Sequence, residues 1–306
     1  MSVYNGAEAL PRTLESILAQ QGVDLEFIVI DDGSTDASGR ILDDWAGRDA
    51  RLRVIHQANT GLTRALIRGC AEAQGEFIAR QDCGDISLPR RLEEQVAMLQ
   101  ARPEMAAVSC HTVFVGPKQE PLFAAEIDEA ALNRMLAQGV NGRYAGPSHH
   151  GSMMFRRGAY EAAGGYRAAF HFAQDLDLWT RLIEQGPFAV VARRHYEATL
   201  DPHSISGTQT REQQQLAGLI DAATQARRSG ADESSYLAQA AGIRPAKPGQ
   251  LHRRVALGNY FIGSCLRRTD PRAARDYFRQ ALANDPWLWR ARLRWLQVLL
   301  AGAARA

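Results

Sequence analysis

The sequence predicts an α/β domain, a mostly parallel sheet flanked by helices, followed by a helical C-terminal appendage. Three observations carry that expectation. Short apolar runs at 27–30, 53–56 and 77–79 alternate with stretches of helical periodicity. Carboxylates stand just past two of these runs, Asp31 and Asp32 after the first and Asp82 and Asp85 after the third, where open α/β sheets bind their ligands. From about residue 208 the composition turns to Ala, Arg, Gln and Leu at helical spacing. The expected division is therefore a domain over 1–207 and a helical region over 208–306.

Composition narrows the class. Of the 306 residues 45% are hydrophobic and 23% charged, and the net charge of +2 calls for no nucleic acid. No apolar run is long enough for a spanning helix or a signal peptide. Cys70, Cys83, Cys110 and Cys265 lack metal-ligand spacing, which fits reduced thiols in the cytoplasm.

In chain order, Val3 and Tyr4 read as the tail of a strand whose earlier residues are missing, with Met1 either a misplaced start or the result of trimming. Leu10, Leu14, Ile17 and Leu18 mark one face of a first helix. The run at 27–30 ends on Asp31, Asp32 and Gly33; the glycine allows a tight turn, and Ser34 or Thr35 can cap the next helix. Asn59, Thr60 and Gly61 form a turn into a helix over 62–73. Residues 77–79 suit a central parallel strand covered on both faces. Pro89 takes a first helical position, with Leu92, Val96 and Leu99 behind it. A strand is expected over 105–110, a helix over 130–138 and a strand over 152–155. Asp175 opens a helix anchored by Leu178, Trp179 and Leu182, and Asp177 reads as a structural or capping acid. Near the end, Asp270, Pro271, Ala274, Tyr277, Phe278, Ala281, Leu282, Asp285 and Pro286 resemble one tetratricopeptide-type hairpin. A single such unit cannot bury both its faces. Its arginines with Trp287, Trp289 and Trp295 suit either a membrane surface or ordinary helix packing, the second being the plainer reading.

VIDDGSTD at 29–36 and Asp-x-x-Asp-Ile-Ser-x-Pro-x-Arg-Leu from Asp82, about fifty residues apart, together resemble the inverting family 2 glycosyltransferases of the GT-A fold. The resemblance runs over 3–206. It implies transfer from a nucleoside diphosphate sugar to a hydroxyl of a glycan or lipid-linked acceptor in cell-surface polysaccharide synthesis. It implies that Tyr4, Asn5, Asp31, Asp32, Arg64 and Asp82 surround the nucleotide sugar, with Arg68 second to Arg64. Mg2+ or Mn2+ would be held by Asp82 and Asp85, with His203 a further candidate, and Asp175 would be the catalytic base. The chain departs from the family pattern at Cys83, which takes an alanine place, at Gly84, which replaces the second acid of the metal motif, at Gln174, which replaces a glutamate, and at Glu197, which stands where an arginine is expected. His149 and His150 are adjacent, and neighbouring side chains on a strand point to opposite faces, so at most one faces the sugar or acceptor. The resemblance places the protein in the cytoplasm, with the C-terminal helices offering a peripheral contact to the inner face of the membrane or to a protein.

Two rivals compete. A sugar nucleotidyltransferase needs a Gly-rich phosphate loop with a Lys or Arg near the first strand, which MSVYNGAEAL lacks. A non-catalytic relative that binds a nucleotide or a partner is favoured by Gly84, Gln174, Glu197 and the short first strand. Retention of Asp32, Asp82, Asp85 and Asp175 argues against it.

Overall fold

A computed structural model describes residues 1–204, 210–245 and 251–303. Strands β1 (Ser2–Val3), β2 (Phe27–Asp31) and β3 (Leu52–His56) form a parallel sheet in that order. Strand β2 is buried throughout, and its two-residue period divides its side chains between two layers. Phe27 and Val29 pack with Val3 and with Leu10, Leu14 and Ile17 of α1 (Leu10–Leu18), and with Leu42 of α2 (Ser38–Ala46). Ile28 and Ile30 pack on Ala65 of α3 (Leu62–Ala71). Residues Asp31 and Asp32 thus emerge at the carboxyl edge of a strand gripped on both faces.

The second sheet has the order β4-β8-β6-β9-β5, with β7 paired to β6. Its strands are β4 (Phe77–Ala79), β5 (Ile86–Ser87), β6 (Ala107–Val115), β7 (Pro121–Ala125), β8 (Met154–Arg156) and β9 (Phe188–Thr199). The expectation of a central parallel strand at 77–79 is corrected here. Strand β4 stands first in the sheet order and pairs antiparallel with β8, Ile78 opposite Phe155. An apolar run of three residues specifies burial but not the direction of its neighbour. Ile78 and Phe155 join Leu178, Trp179, Leu182, Phe188 and Val190 in one core, together with Leu132 and Leu136 of α5 (Glu129–Gln138).

Two boundaries differ from the sequence reading. Helix α4 (Arg91–Ala101) begins after Pro89, because Arg90 takes a left-handed φ of 67° that stops the helix from extending back. The strand expected over 152–155 shortens to β8, because His150–Ser152 form a 3-10 turn before it. Helices α6 (Arg157–Ala162) and α7 (Gln174–Leu182) follow β8.

The chain divides into two compact units that interleave rather than meet at residue 207: Met1–Thr112, Ala125–Ala198 and Gln215–Ile243 form one, and Val113–Ala124, Thr199–Gln214 and Arg244–Ala306 the other. The first unit takes most of α8 (Thr210–Arg228) and α9 (Ser234–Gly242), because Leu216, Ile220 and Ala240 pack with Phe170 and Phe172. The second unit holds α10 (Leu251–Leu266), α11 (Pro271–Asn284) and α12 (Trp289–Ala303). Asp270 caps α11 by accepting from the Ala273 amide at 3.0 Å, and Pro271 opens it. Ala274, Tyr277, Phe278 and Ala281 are its buried stripe. Gly263 of α10 lets the Phe278 ring approach, since a Cβ there would lie 2.9 Å from it.

Candidate active site

The loop from Arg80 to Asp85 connects β4 to β5 and is fixed from beneath by one buried cation. Arg91 is fully buried without a carboxylate partner among the hydrogen bonds it makes. Its guanidinium donates to Ser87 Oγ (2.6 Å), Gln81 Oε1 (3.1 Å), and the carbonyls of Arg80 and Gly151 (2.7 Å each), and it lies 4.8 Å from the Tyr196 ring centroid. Burying a charge is tolerated when its donors are satisfied in this way. One side chain thereby ties the 80–87 loop to the 149–153 turn. From the other side, the Gly84 amide donates to Thr13 Oγ1 of α1 (3.0 Å), whose hydroxyl donates to the Asp85 carbonyl (3.0 Å).

Asp82 and Asp85 are held by different partners. Asp82 Oδ1 accepts from Arg80 Nη2 at 2.7 Å, and its amide donates to the Tyr196 hydroxyl at 3.2 Å. That hydroxyl donates to Asp85 Oδ2 at 3.0 Å. Burial acts to raise the pKa of Asp82, but the Arg80 guanidinium, with the two histidines, holds it below the ordinary aspartate value. Tyr196 is fully buried against Gly151, where any Cβ would lie 1.9 Å from the phenol oxygen.

Both histidines reach this site, from different sides. His149 stacks on Tyr196 (5.3 Å between centroids), and its Nδ1 lies 3.6 Å from Asp85 Oδ2 and accepts from the Gly151 amide. His150 opens the 3-10 turn and points elsewhere: its Nε2 meets the Tyr166 hydroxyl at 2.6 Å and accepts from Arg80 Nε at 3.3 Å. Burial, reinforced by Arg80, pushes its pKa down to about 3, so it is a neutral acceptor that orients Arg80. Of the two histidines expected to place at most one ring toward the sugar or acceptor, only His149 joins the acid cluster, through a 3-10 turn rather than the strand geometry that expectation used.

A ring nitrogen of His149 and carboxylate oxygens of Asp82 and Asp85 lie within 4.8 Å of one another. Two hard oxygen donors and one imidazole suit a divalent cation such as Mn2+ or Mg2+. Cys83 does not add to the set, because burial, then the neighbouring Asp85 and Asp82, push its thiol up to about 12. Gly84 has φ of 98°, a conformation that an L-residue adopts only with strain; the missing acid of the motif coincides with a backbone that favours glycine. His203 is not in the cluster. It is exposed in the second unit, its amide donating to Asp201 Oδ1 at 2.8 Å.

Asp175 is the second residue of α7, after Ala173 in a left-handed conformation, and its Oδ1 accepts from the Leu176 amide at 2.9 Å. Burial is the main cause raising its pKa, and the Asp82 charge adds to it. Raised carboxyl pKa values of this kind, set by burial and a nearby charge, recur at functional sites. Asp177 is instead structural, paired with Arg181 at 2.5 Å and 3.7 Å from Arg167. Gln174 is buried at the helix start, and Glu197 lies opposite Ile86 in the β5–β9 register, 3.9 Å from Arg12.

The other acid pair is spent inside the chain. Asp32 is almost completely buried and accepts from Gln57 Nε2 (2.6 Å), Thr60 N (2.9 Å), Thr60 Oγ1 (3.1 Å) and Gly61 N (2.8 Å). Asp31 accepts from the Ser34 amide (3.1 Å) and bonds His56 Nδ1 (2.8 Å). Burial acts to raise its pKa, but the Ser34 and His56 hydrogen bonds keep it low. Within the chain these two carboxylates, expected to contact the nucleotide, hold the Ser34, His56, Gln57, Thr60 and Gly61 groups around them. Asn5, at φ of 53°, accepts from the Thr35 amide at 2.7 Å, and Tyr4 beside it is exposed. Arg64 is exposed in the first turn of α3 and has no hydrogen bond or ion pair among the described residues, whereas Arg68 donates to Gln57 Oε1 at 3.0 Å.

Sequence reasoning missed Arg80, Tyr196 and Arg91 as members of the site, and it singled out His149 and His150 without linking either to Asp82 and Asp85. Arg91 stood in the quoted Pro-x-Arg-Leu motif, and Arg80 directly follows the apolar run at 77–79, so both carried a signal.

Comparison with known proteins agrees with this geometry. EpsE of Bacillus subtilis (strain 168), a glycosyltransferase by name, is 34% identical over 190 residues, 61% of this chain and 66% of that protein, so the match stops just short of two thirds of its length. The structure of S. aureus TarS 1-349 in complex with UDP superposes with a TM-score of 0.57 at 16% identity, covering 97% of this chain and 87% of that one. The mannosyltransferase PcManGT from Pyrobaculum calidifontis, in complex with GDP-Man and Mn2+, gives 0.56 at 18% identity over 99% and 84%. These likenesses establish the GT-A fold. Residues 1–164, more than half the chain, match the sequence profile of glycosyl transferase family 2, and with the acid cluster and the helix-start aspartate in place, the chain belongs to that family.

Proposed function

We propose that this protein transfers a sugar from a nucleoside diphosphate sugar to a hydroxyl of a glycan or lipid-linked acceptor, with inversion at the anomeric carbon, in the synthesis of a cell-surface polysaccharide. The observation that carries the reading is Asp175, a carboxyl of raised pKa at the start of α7 within electrostatic reach of Asp82 and His149, two members of the Asp82, Asp85 and His149 cluster. Asp175 takes the proton of the attacking hydroxyl; such a base contributes about 10² to 10⁴-fold. Asp82, Asp85 and His149 hold a divalent cation, Mn2+ or Mg2+, whose chemistry when bound is to stabilise charge on a leaving diphosphate. Arg80 keeps Asp82 ionised and aimed, and neutral His150 and Tyr166 keep Arg80 in place. Tyr4 and Asn5, on the loop after β1, and Arg64, in the first turn of α3, form the nucleotide side, and Asp32 fixes the Thr60–Gly61 turn that leads into α3. Arg64 is a cation on that side with no hydrogen bond or ion pair among the described residues.

A cytoplasmic location at the inner face of the membrane suits a lipid-linked acceptor. Among the described residues no helix is long and apolar enough to cross a membrane. The second reading, a non-catalytic binder, is favoured by one observation: both carboxylates of the first acid pair are committed to internal bonds. A nucleotide-release screen with UDP, GDP and dTDP sugars, Mn2+ and mixed lipid-linked and oligosaccharide acceptors separates the two. Acceptor-dependent release supports transfer, and nucleotide binding without release on any acceptor supports the binder.

A further inference from the structure

We infer that α12 lies on the surface of a membrane rich in anionic lipid. On this 15-residue helix, Trp289, Leu293, Leu296 and Leu300 recur at spacings of four, three and four, a single face, and all four are exposed. Trp287, just before the helix, is 88% exposed. The opposite face is already used: Ala291 and Val298 are buried, and Trp295 packs into the cluster around Phe278. The helix is therefore apolar on two sides and covered on one.

Charge decides what covers the other side. The sequence has no acidic residue after Asp285, and between 251 and 303 it holds ten arginines against three aspartates, although the whole chain is only +2. Arg290 and Arg292 are exposed on the two flanks of the stripe, and Arg294 is half-buried on the Arg290 side. Arg292 donates to the Pro286 carbonyl, Arg294 to Gln297 Oε1, and Arg290 lies over the Trp289 ring at 5.5 Å; among the described residues none meets a carboxylate. An apolar stripe led by tryptophan and bordered by arginines is the pattern of a helix lying in the headgroup region, its apolar face toward the acyl chains and its cations on lipid phosphates. A second copy fits less well, because a two-fold contact through this face would bring the same arginines together.

The test uses the full chain with vesicles of phosphatidylcholine alone and of phosphatidylcholine mixed with phosphatidylglycerol, read by flotation, with light scattering for mass. Binding to the mixed vesicles and not to the neutral ones is expected, falling as salt is raised. Arg290→Gln with Arg292→Gln should weaken it by about fivefold for each arginine, and Leu293→Ser with Leu296→Ser by at least about tenfold. All four positions are exposed, so melting temperature and nucleotide release on a water-soluble acceptor should stay at wild-type values. Equal binding to both vesicle types, or binding to neither, would overturn the proposal. So would a dimer mass in solution that the leucine pair abolishes, since the stripe would then be covered by a second copy.

Discussion

Two pairs of acids stand at the carboxyl ends of strands in this protein, and they have opposite fates. Asp31 and Asp32 follow a strand gripped on both faces, and their oxygens are taken up by the Ser34, His56, Gln57, Thr60 and Gly61 groups around them. Asp82 and Asp85 follow a three-residue strand, and their nearest partners are a buried arginine, a buried phenol and a histidine. Backbone amides satisfy a carboxylate and leave it little reason to exchange partners. A cation, a phenol and an imidazole instead tune its charge and leave it able to bind a metal. Position at a strand end therefore does not make an acid reactive; the chemistry of its donors does.

The comparison can be broken or sharpened by substitution. The largest effect is expected for Asp175→Asn, which should lower kcat by about 10² to 10⁴-fold while UDP affinity stays near wild type, measured by nucleotide release and by calorimetry. Retention of more than about a tenth of the turnover would remove Asp175 as the base. Next is Arg91→Met, which strips the shared support from both loops and leaves buried acceptors unpaired. A stability loss of about 3 kcal/mol in urea is expected, with Mn2+ binding lost in the remaining folded protein. Asp32→Asn should cost about 2 kcal/mol of stability, because an amide nitrogen would face donors from the 57–61 loop, and should lower kcat far less than Asp82→Asn does. If Asp32→Asn abolished turnover in a protein of unchanged stability, the division between a scaffolding pair and a reactive pair would fail.

The smallest effect is one of pH. His56 bonds Asp31 and Asp43, chiefly through the Asp31 hydrogen bond, and its pKa is raised above the usual histidine value. A raised histidine adds stability that is complete below the unfolded value of about 6.5 and is lost as pH rises through the higher folded value. Melts across this range should show a decline that His56→Gln removes. The side chain is about half exposed, so the decline should be shallow and reduced by salt.

Much of the fold was legible. The β2 and β3 runs, the turn into α3, the helix start at Asp175 and the structural role of Asp177 all follow from periodicity and capping. The partner of β4 was not legible, because three apolar residues report burial and not the direction of a neighbour. Two of the four donors that claim Asp32 are the backbone amides of Thr60 and Gly61, and a sequence does not display amides. His149 enters through a 3-10 turn from a distant segment, so no local spacing links it to Asp82. Arg91 stood in the Pro-x-Arg-Leu motif, but nothing local to it announces that its guanidinium is buried and bonded to both loops.

The central claim is that the second acid pair and Asp175 carry out a displacement at an anomeric carbon. The most direct measurement is the anomeric configuration of the product by NMR, with a donor found in the release screen, for the wild type and for Asp175→Asn in parallel. The account predicts a product of configuration opposite to the donor from the wild type, and no product from Asp175→Asn on the same timescale. A product with the donor's own configuration, or an equal yield from the variant, would contradict it.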